Sequence, residues 1–145
     1  MKTKGCDFEY AEQRDRELMK AYRDQLESCN KIHLPDVLSK TVNTSSTRFW
    51  VSESRAAIII GKMFRGESIN GMKPMKIEMF NEIFHRVKKL RTANPKRSLN
   101  DLVCEVVNTP APKFYLTPES AKIIICRIKK KWLEERKKKL QHLFY

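Results

Sequence analysis

Glycine occurs only four times in this chain of 145 residues. That excludes the glycine-rich phosphate loops of nucleotide-binding enzymes, whose backbone needs several glycines to approach an anion closely. No G-x-S-x-G elbow and no H-E-x-x-H helix is present either, which removes the common hydrolase and metalloprotease patterns. The three histidines, His33, His85 and His142, stand far apart in sequence. Carboxylates gather at Asp7, Glu9, Glu12, Asp15 and Glu17, where a charged helix surface explains them. We therefore expect no enzyme, no metal site and no cofactor. The cysteines Cys6, Cys29, Cys104 and Cys126 form no C-x-x-C and have no histidine at zinc-finger spacing. With no signal peptide, reduced thiols in a cytoplasm are expected, two disulfides in a secreted protein being the alternative. No apolar run reaches the ~18–20 residues needed to span a bilayer.

Acidic charge is also short. Thirty Lys and Arg face 17 Asp and Glu, for a net charge of +13. Residues 1–33 are electrically balanced, so the surplus lies in the rest of the chain. A field of that sign attracts nucleic acid or an anionic membrane.

What is present is a repeat. Thr41 to Ile60 reads T-V-N-T-S-S-T-R-F-W-V-S-E-S-R-A-A-I-I-I, and Val106 to Ile125 reads V-V-N-T-P-A-P-K-F-Y-L-T-P-E-S-A-K-I-I-I. Laid without a gap at an offset of 65 residues, Leu34–Phe64 and Leu99–Lys129 share ten identities in 31 positions. Arg48/Lys113, Trp50/Tyr115, Ser52/Thr117 and Lys62/Arg127 keep their chemistry. A match of this length reads as an internal duplication. One copy of roughly 60 residues is marginal alone, so the copies should pack on each other.

Helical spacing places a first amphipathic helix over Phe8–Cys29, with Phe8, Ala11, Leu18, Tyr22, Leu26 and Cys29 on its inner stripe. Met1–Asp7 should be an arm. Pro35 opens a short second helix to about Asn43, with Val37, Leu38 and Val42 inward. Thr44–Val51 has no helical period. Ser52 then caps a third helix to about Arg65. Gly66, Gly71 and Pro74 mark a linker. A fourth helix, Met75–Thr92, carries Ile77, Phe80, Ile83, Phe84, Val87 and Leu90. Ser98 caps a fifth over Leu99–Val107, and Thr117 caps a sixth that can continue to about Leu143. The expected fold is all-α: two tandem three-helix, helix-turn-helix-like repeats packed together, with a long basic C-terminal helix. The boundaries are 1–12 for the arm and helix start, 13–65 for the first repeat, 66–75 for the linker, 76–131 for the second repeat and 132–145 for the C-terminal extension.

Each copy, three helices with a capped last one, resembles in outline the helix-turn-helix modules of small DNA-binding proteins of phages and mobile elements. The resemblance implies that the last helix enters a major groove. Ser52, Ser54 and Arg55, with Thr117, Ser120 and Lys122, would then lie nearest the bases, and Lys62, Arg65 and Arg127 would hold phosphates. Two departures stand out: the connection between second and third helix is about eight residues long, and it lacks a glycine. The third helix is also very apolar, because Ala57, Ile58 and Ile123 widen its stripe. A helix buried across the interface between copies would account for that.

Two further signals concern charge. In extended backbone, neighbouring side chains alternate sides. If Phe49 and Phe114 plug the core, Arg48 and Trp50, with Lys113 and Tyr115, face outward together. A cation beside a ring suits phosphate contact and base stacking, whereas the plainer alternative is a half-buried anchor beside a solvated cation. Lys129, Lys130 and the cations up to Lys139 would add salt-dependent affinity. Ile128, Trp132, Leu133, Leu140, Leu143 and Phe144 give the last helix an apolar side for a partner, a second chain or a membrane surface. The expected function is non-catalytic nucleic-acid binding, duplex DNA foremost, as a regulator or organising accessory factor. An adaptor binding acidic protein partners is the alternative, and RNA binding the second one.

Overall fold

The computed structural model describes the backbone of residues 4–144 and the side chains of residues 10–143. It is all-α, with helices α1 (Lys4–Ser28), α2 (Leu34–Val42), α3 (Glu53–Phe64), α4 (Pro74–Ala93), α5 (Leu99–Val107) and α6 (Pro118–Phe144). Helix α1 starts inside the stretch expected as an arm; residues 1–3 of that arm, and the side chains of Phe8 and Phe144, lie outside the described residues.

Local chemistry accounts for the helix ends. Pro35 and Pro74 sit in the first turns of α2 and α4, where a missing N–H costs nothing. Ser52 Oγ accepts from Arg55 N at 3.1 Å, Ser98 Oγ from Asp101 N at 3.2 Å and Thr117 Oγ1 from Ser120 N at 3.1 Å. These bonds satisfy amide donors that the first helical turn leaves open. Asn43 and Asn108 finish α2 and α5 alike, each side-chain amide donating to the carbonyl four residues back. Helix α3 stops because Gly66 adopts φ +80°, a left-handed conformation that an L side chain resists. The equivalent residue in the second copy is Lys131. Lacking that stop, α6 runs on for about four more turns.

The helices pack into two three-helix units, and these are not the two copies as they follow along the chain. Helix α3 packs on α4 and α5, while α6 packs on α1 and α2. Ala56, Ile59 and Ile60 of α3 share a core with Phe80, Ile83 and Val87 of α4 and Leu102, Val103, Val106 and Val107 of α5. Ala121, Ile124 and Ile125 of α6 share the other core with Leu18, Met19 and Tyr22 of α1 and Val37, Leu38 and Val42 of α2. The third helices are exchanged. The tandem arrangement expected from sequence, with residues 13–65 and 76–131 each forming a three-helix repeat packed on the other, is corrected in this respect. The connection, residues 43–52, is long enough to carry α3 across to α5.

The two connections cross as straps. Ser46 and Ala111 donate to one another's carbonyls, each at 3.0 Å, forming one antiparallel bridge. Further out, Phe49 N donates to Val107 O at 3.0 Å and Phe114 N to Val42 O at 2.9 Å. Each strap then buries its phenylalanine in the unit it enters, Phe49 beside α5 and Phe114 beside α2. The aromatic pairs are reciprocal too. Phe49 stacks on Tyr115 at 6.0 Å and Phe114 on Trp50 at 6.5 Å. Every one of these contacts maps onto its counterpart when 65 is added to or subtracted from the residue numbers.

Exchange makes each copy incomplete alone. A fragment of residues 1–72 retains α1, α2 and α3 but loses the partners of both the α1–α2 face and α3. It should be unfolded when dilute, or pair with a second fragment as it gains concentration. Sizing by light scattering with circular dichroism checks this, and a helical, cooperatively melting monomer would contradict the exchange.

Candidate nucleic-acid interface

Helix α3 buries Ala56, Ile59 and Ile60, so its opposite face is open. Ser54, Arg55, Ile58, Lys62 and Arg65 lie there together and are exposed, as spacings of three and four residues require. On α6, Ile123, Arg127 and Lys130 occupy the positions equivalent to Ile58, Lys62 and Arg65, and all are exposed. Glu119 and Ser120 stand where α3 has Ser54 and Arg55. Two helices thus carry the same exposed series: an isoleucine, a cation four residues on, and another after three more.

Lys62, Arg55, Lys122 and Lys130 make no ion pair among the described residues. Arg65 pairs with Glu67 at 2.8 Å and Arg127 with Asp15 at 3.5 Å, both with largely exposed cations. Lys129 lies with its ammonium 4.9 Å from the centre of the Tyr22 ring. Lys122 and Lys129 fall beside the repeated face instead of on it. Their counterparts on α3 are Ala57 and Phe64, which pack against the core, Phe64 edge-on to Phe84 at 4.7 Å.

The expected strap contacts need correction. Arg48 is only 7% exposed. Its guanidinium donates to Phe49 O at 3.0 Å, Val51 O at 2.8 Å and Asn108 Oδ1 at 3.3 Å. The Tyr10 ring covers it at 3.9 Å, and Glu53 approaches within 3.9 Å. Arg48 therefore satisfies carbonyls of the bent strap, and its burial under the Tyr10 ring keeps it from a phosphate. Tyr115 is 8% exposed because its φ is +56°. The left-handed backbone at this residue breaks the alternation of an extended strand and turns the ring inward onto Phe49. Trp50 is half-buried against Phe114, its indole N–H enclosed without a partner. Lys113 pairs with Glu78 and lies 5.5 Å from the Tyr115 ring centre. The tripeptides anchor the crossing. Ser52 and Thr117 likewise use their hydroxyls as caps.

The three-isoleucine helices are also split. Ile59, Ile60, Ile124 and Ile125 are core, whereas Ile58 is 57% exposed and Ile123 is 67% exposed. The third helices, expected to meet across the interface between copies, do not touch each other. Neither isoleucine stood out as a contact residue in the sequence. The signal that could have found them is the recurrence of isoleucine and two cations in one register.

Near the crossing, Tyr10 donates to Glu53. That bond raises the Tyr10 pKa above its ordinary value and lowers that of Glu53. Burial, aided by the carboxylates of Glu82 and Glu78, pushes Tyr115 up to about 12.

Among the described residues no cluster of three His, Cys, Asp or Glu is placed to hold a metal, and no helix is long and apolar enough to cross a membrane. Comparison of the chain with protein-family models, curated proteins and solved structures finds no match.

Two outcomes follow from the strap chemistry. Arg48→Ala removes the donor for two buried carbonyls and should destabilise the fold by about 3 kcal/mol, a charged hydrogen bond contributing about 1.5–3 kcal/mol; chemical denaturation reads this, and an unchanged midpoint would return Arg48 to the surface. Because the Tyr115 pKa is raised in the folded state, its neutral ring stabilises below pH 10. That contribution is lost as pH climbs toward 12. Tyr115→Phe should flatten the fall in melting temperature over that window, and an equally steep fall would show that Tyr115 is not its source.

Proposed function

We propose that this chain is a non-catalytic nucleic-acid-binding protein that engages double-stranded DNA as a regulator or organising accessory factor. The supporting observation is the face repeated on α3 and α6. A helix face with one aliphatic side chain among cations suits a major groove: cations meet phosphates and a branched alkyl group can rest on a thymine methyl. The residues that carry this reading are Ser54, Arg55, Ile58, Lys62 and Arg65 on α3, and Ser120, Ile123, Arg127 and Lys130 on α6. Lys122 and Lys129 flank the second face. Seven Lys and Arg against two Glu over residues 129–139 add attraction that is blind to sequence. Arg48, Trp50, Lys113 and Tyr115 are given up as contacts, since each anchors a strap, while Ser52 and Thr117 cap the two helix starts beside these faces.

One observation favours an adaptor as the second reading. Beyond the core, α6 exposes Trp132, Leu133, Leu140 and Leu143, and Trp132 lines a cleft of about 680 Å³ between α1 and α6. The cleft has Met19, Ile128 and Trp132 among its lining and side chains of both signs, including Asp15, Glu135 and Lys131. An acidic amphipathic partner helix would suit that end of the molecule.

Titration against duplex DNA, single strands and RNA over a salt series separates these readings. Duplex preference that weakens steeply with salt is expected. The double variant Lys62→Ala, Arg127→Ala should lose affinity for all duplexes and reduce the salt slope by about one for each phosphate contact removed. Weak, flat binding to all three nucleic acids would favour the adaptor, and a preference for RNA would redirect the assignment.

A further inference from the structure

The repeated faces are related by a rotation, and that relation bears on what they can read. Two modules set side by side by translation would meet a duplex in the same orientation and read a direct repeat. Here the Ser46–Ala111 bridge is antiparallel and reciprocal. Phe49 N to Val107 O and Phe114 N to Val42 O exchange places when the copies are interchanged, and so do the two aromatic stacks. An arrangement in which each copy does to the other what the other does to it has a twofold axis. That axis runs between Ser46 and Ala111. Helices α3 and α6 leave the crossing on opposite sides of it.

Duplex DNA carries local twofold axes of its own, because its strands are antiparallel. A twofold protein on such an axis presents equal surfaces to two half-sites of opposite orientation. We infer that this chain acts as a single-chain pseudo-dimer that reads an imperfect inverted repeat, α3 at one half-site and α6 at the other. The inference rests on the duplex reading proposed above. Imperfection follows from the side chains. Ile58 and Ile123 match, and Lys62/Arg127 and Arg65/Lys130 keep charge, but Arg55 faces its half-site where α6 has Ser120, and Ser54 where α6 has Glu119. The α3 half-site should be read by more donors, and the α6 half-site should disfavour a phosphate or base acceptor near Glu119.

Chain length limits the spacing. From Ser46 to Ser52 is six residues, no more than roughly 20 Å of extended backbone. Ile58 lies six residues further, about 9 Å along the helix. Allowing for the bridge itself, the two isoleucines are within roughly 65 Å of each other. Bends at Thr47, Arg48, Trp50 and Val51 shorten that limit. Half-site centres about 34–36 Å apart, one turn of DNA, are within reach, whereas two turns are not.

Selection of bound sequences from randomised duplexes by the full chain tests this. The expected product is a pair of related half-sites in inverted orientation, centred about 10–11 base pairs apart, with one chain per duplex. Ile58→Ala should relax base preference in one half and Ile123→Ala in the other. Each should narrow the preference for the selected site over random duplex about tenfold. Both positions are exposed, and a retained melting temperature certifies the fold. A direct repeat, a lone half-site, a site occupied by two chains, or enrichment of no sequence would overturn the inference while duplex binding stands. Failure to bind any duplex at low salt would overturn both.

Discussion

Two backbone hydrogen bonds, Phe49 N to Val107 O and Phe114 N to Val42 O, hold each strap against the end of the other copy's second helix. A carbonyl near a helix C-terminus has no partner within its helix, and the crossing strap supplies one. The phenylalanine carrying that amide then fills the core beneath. Hydrogen bonding and burial are therefore satisfied by the same residue, and satisfied only if the chain crosses over. The net contribution of one such bond is about 1 kcal/mol, but leaving its buried groups unpaired costs more. This is why the exchange is specified more sharply than the apolar surface alone would specify it.

Helices, caps and inward stripes were legible in the sequence because their causes are local. Pro35, Ser52, Ser98 and Thr117 mark helix starts wherever those helices later pack. The partner of each third helix was not legible. Periodicity states which face is buried, and Ala56, Ile59 and Ile60 match Ala121, Ile124 and Ile125 so closely that either set could fill either core. The clue was the eight-residue connection without glycine, read as a departure from a helix-turn-helix although it is also long enough for a crossing. Arg48 and Tyr115 were misjudged for related reasons. A basic residue was expected in water, yet carbonyls of the bent strap and the Tyr10 ring enclose it. Alternation was assumed through Tyr115, where a left-handed residue interrupts it.

The copies have diverged at their surfaces more than at their cores. Gly66 ends α3, whereas Lys131 lets α6 extend into a basic helix whose outer turns are exposed. Each α1-type helix uses an equivalent glutamate on the strap of its own copy, but by different routes. Glu17 accepts from Thr47 directly, while Glu82 holds Arg86, which donates to Pro110 O and Thr109. Such changes leave the crossing intact and alter what each face presents. Electrical balance in the first 33 residues leaves the surplus charge to α3, α4 and α6, and on α3 and α6 it includes cations in the matched positions.

The exchange of third helices is the premise for the twofold relation, and it can be observed without a ligand. Methyl nuclear Overhauser contacts in the full chain report it directly. The isoleucines Ile59 and Ile60 should show contacts to Leu102, Val103 and Val106, and Ile124 and Ile125 to Val37 and Leu38. Contacts from Ile59 and Ile60 to Val37 and Leu38 would mean that each copy closes on itself, and the twofold account would fail.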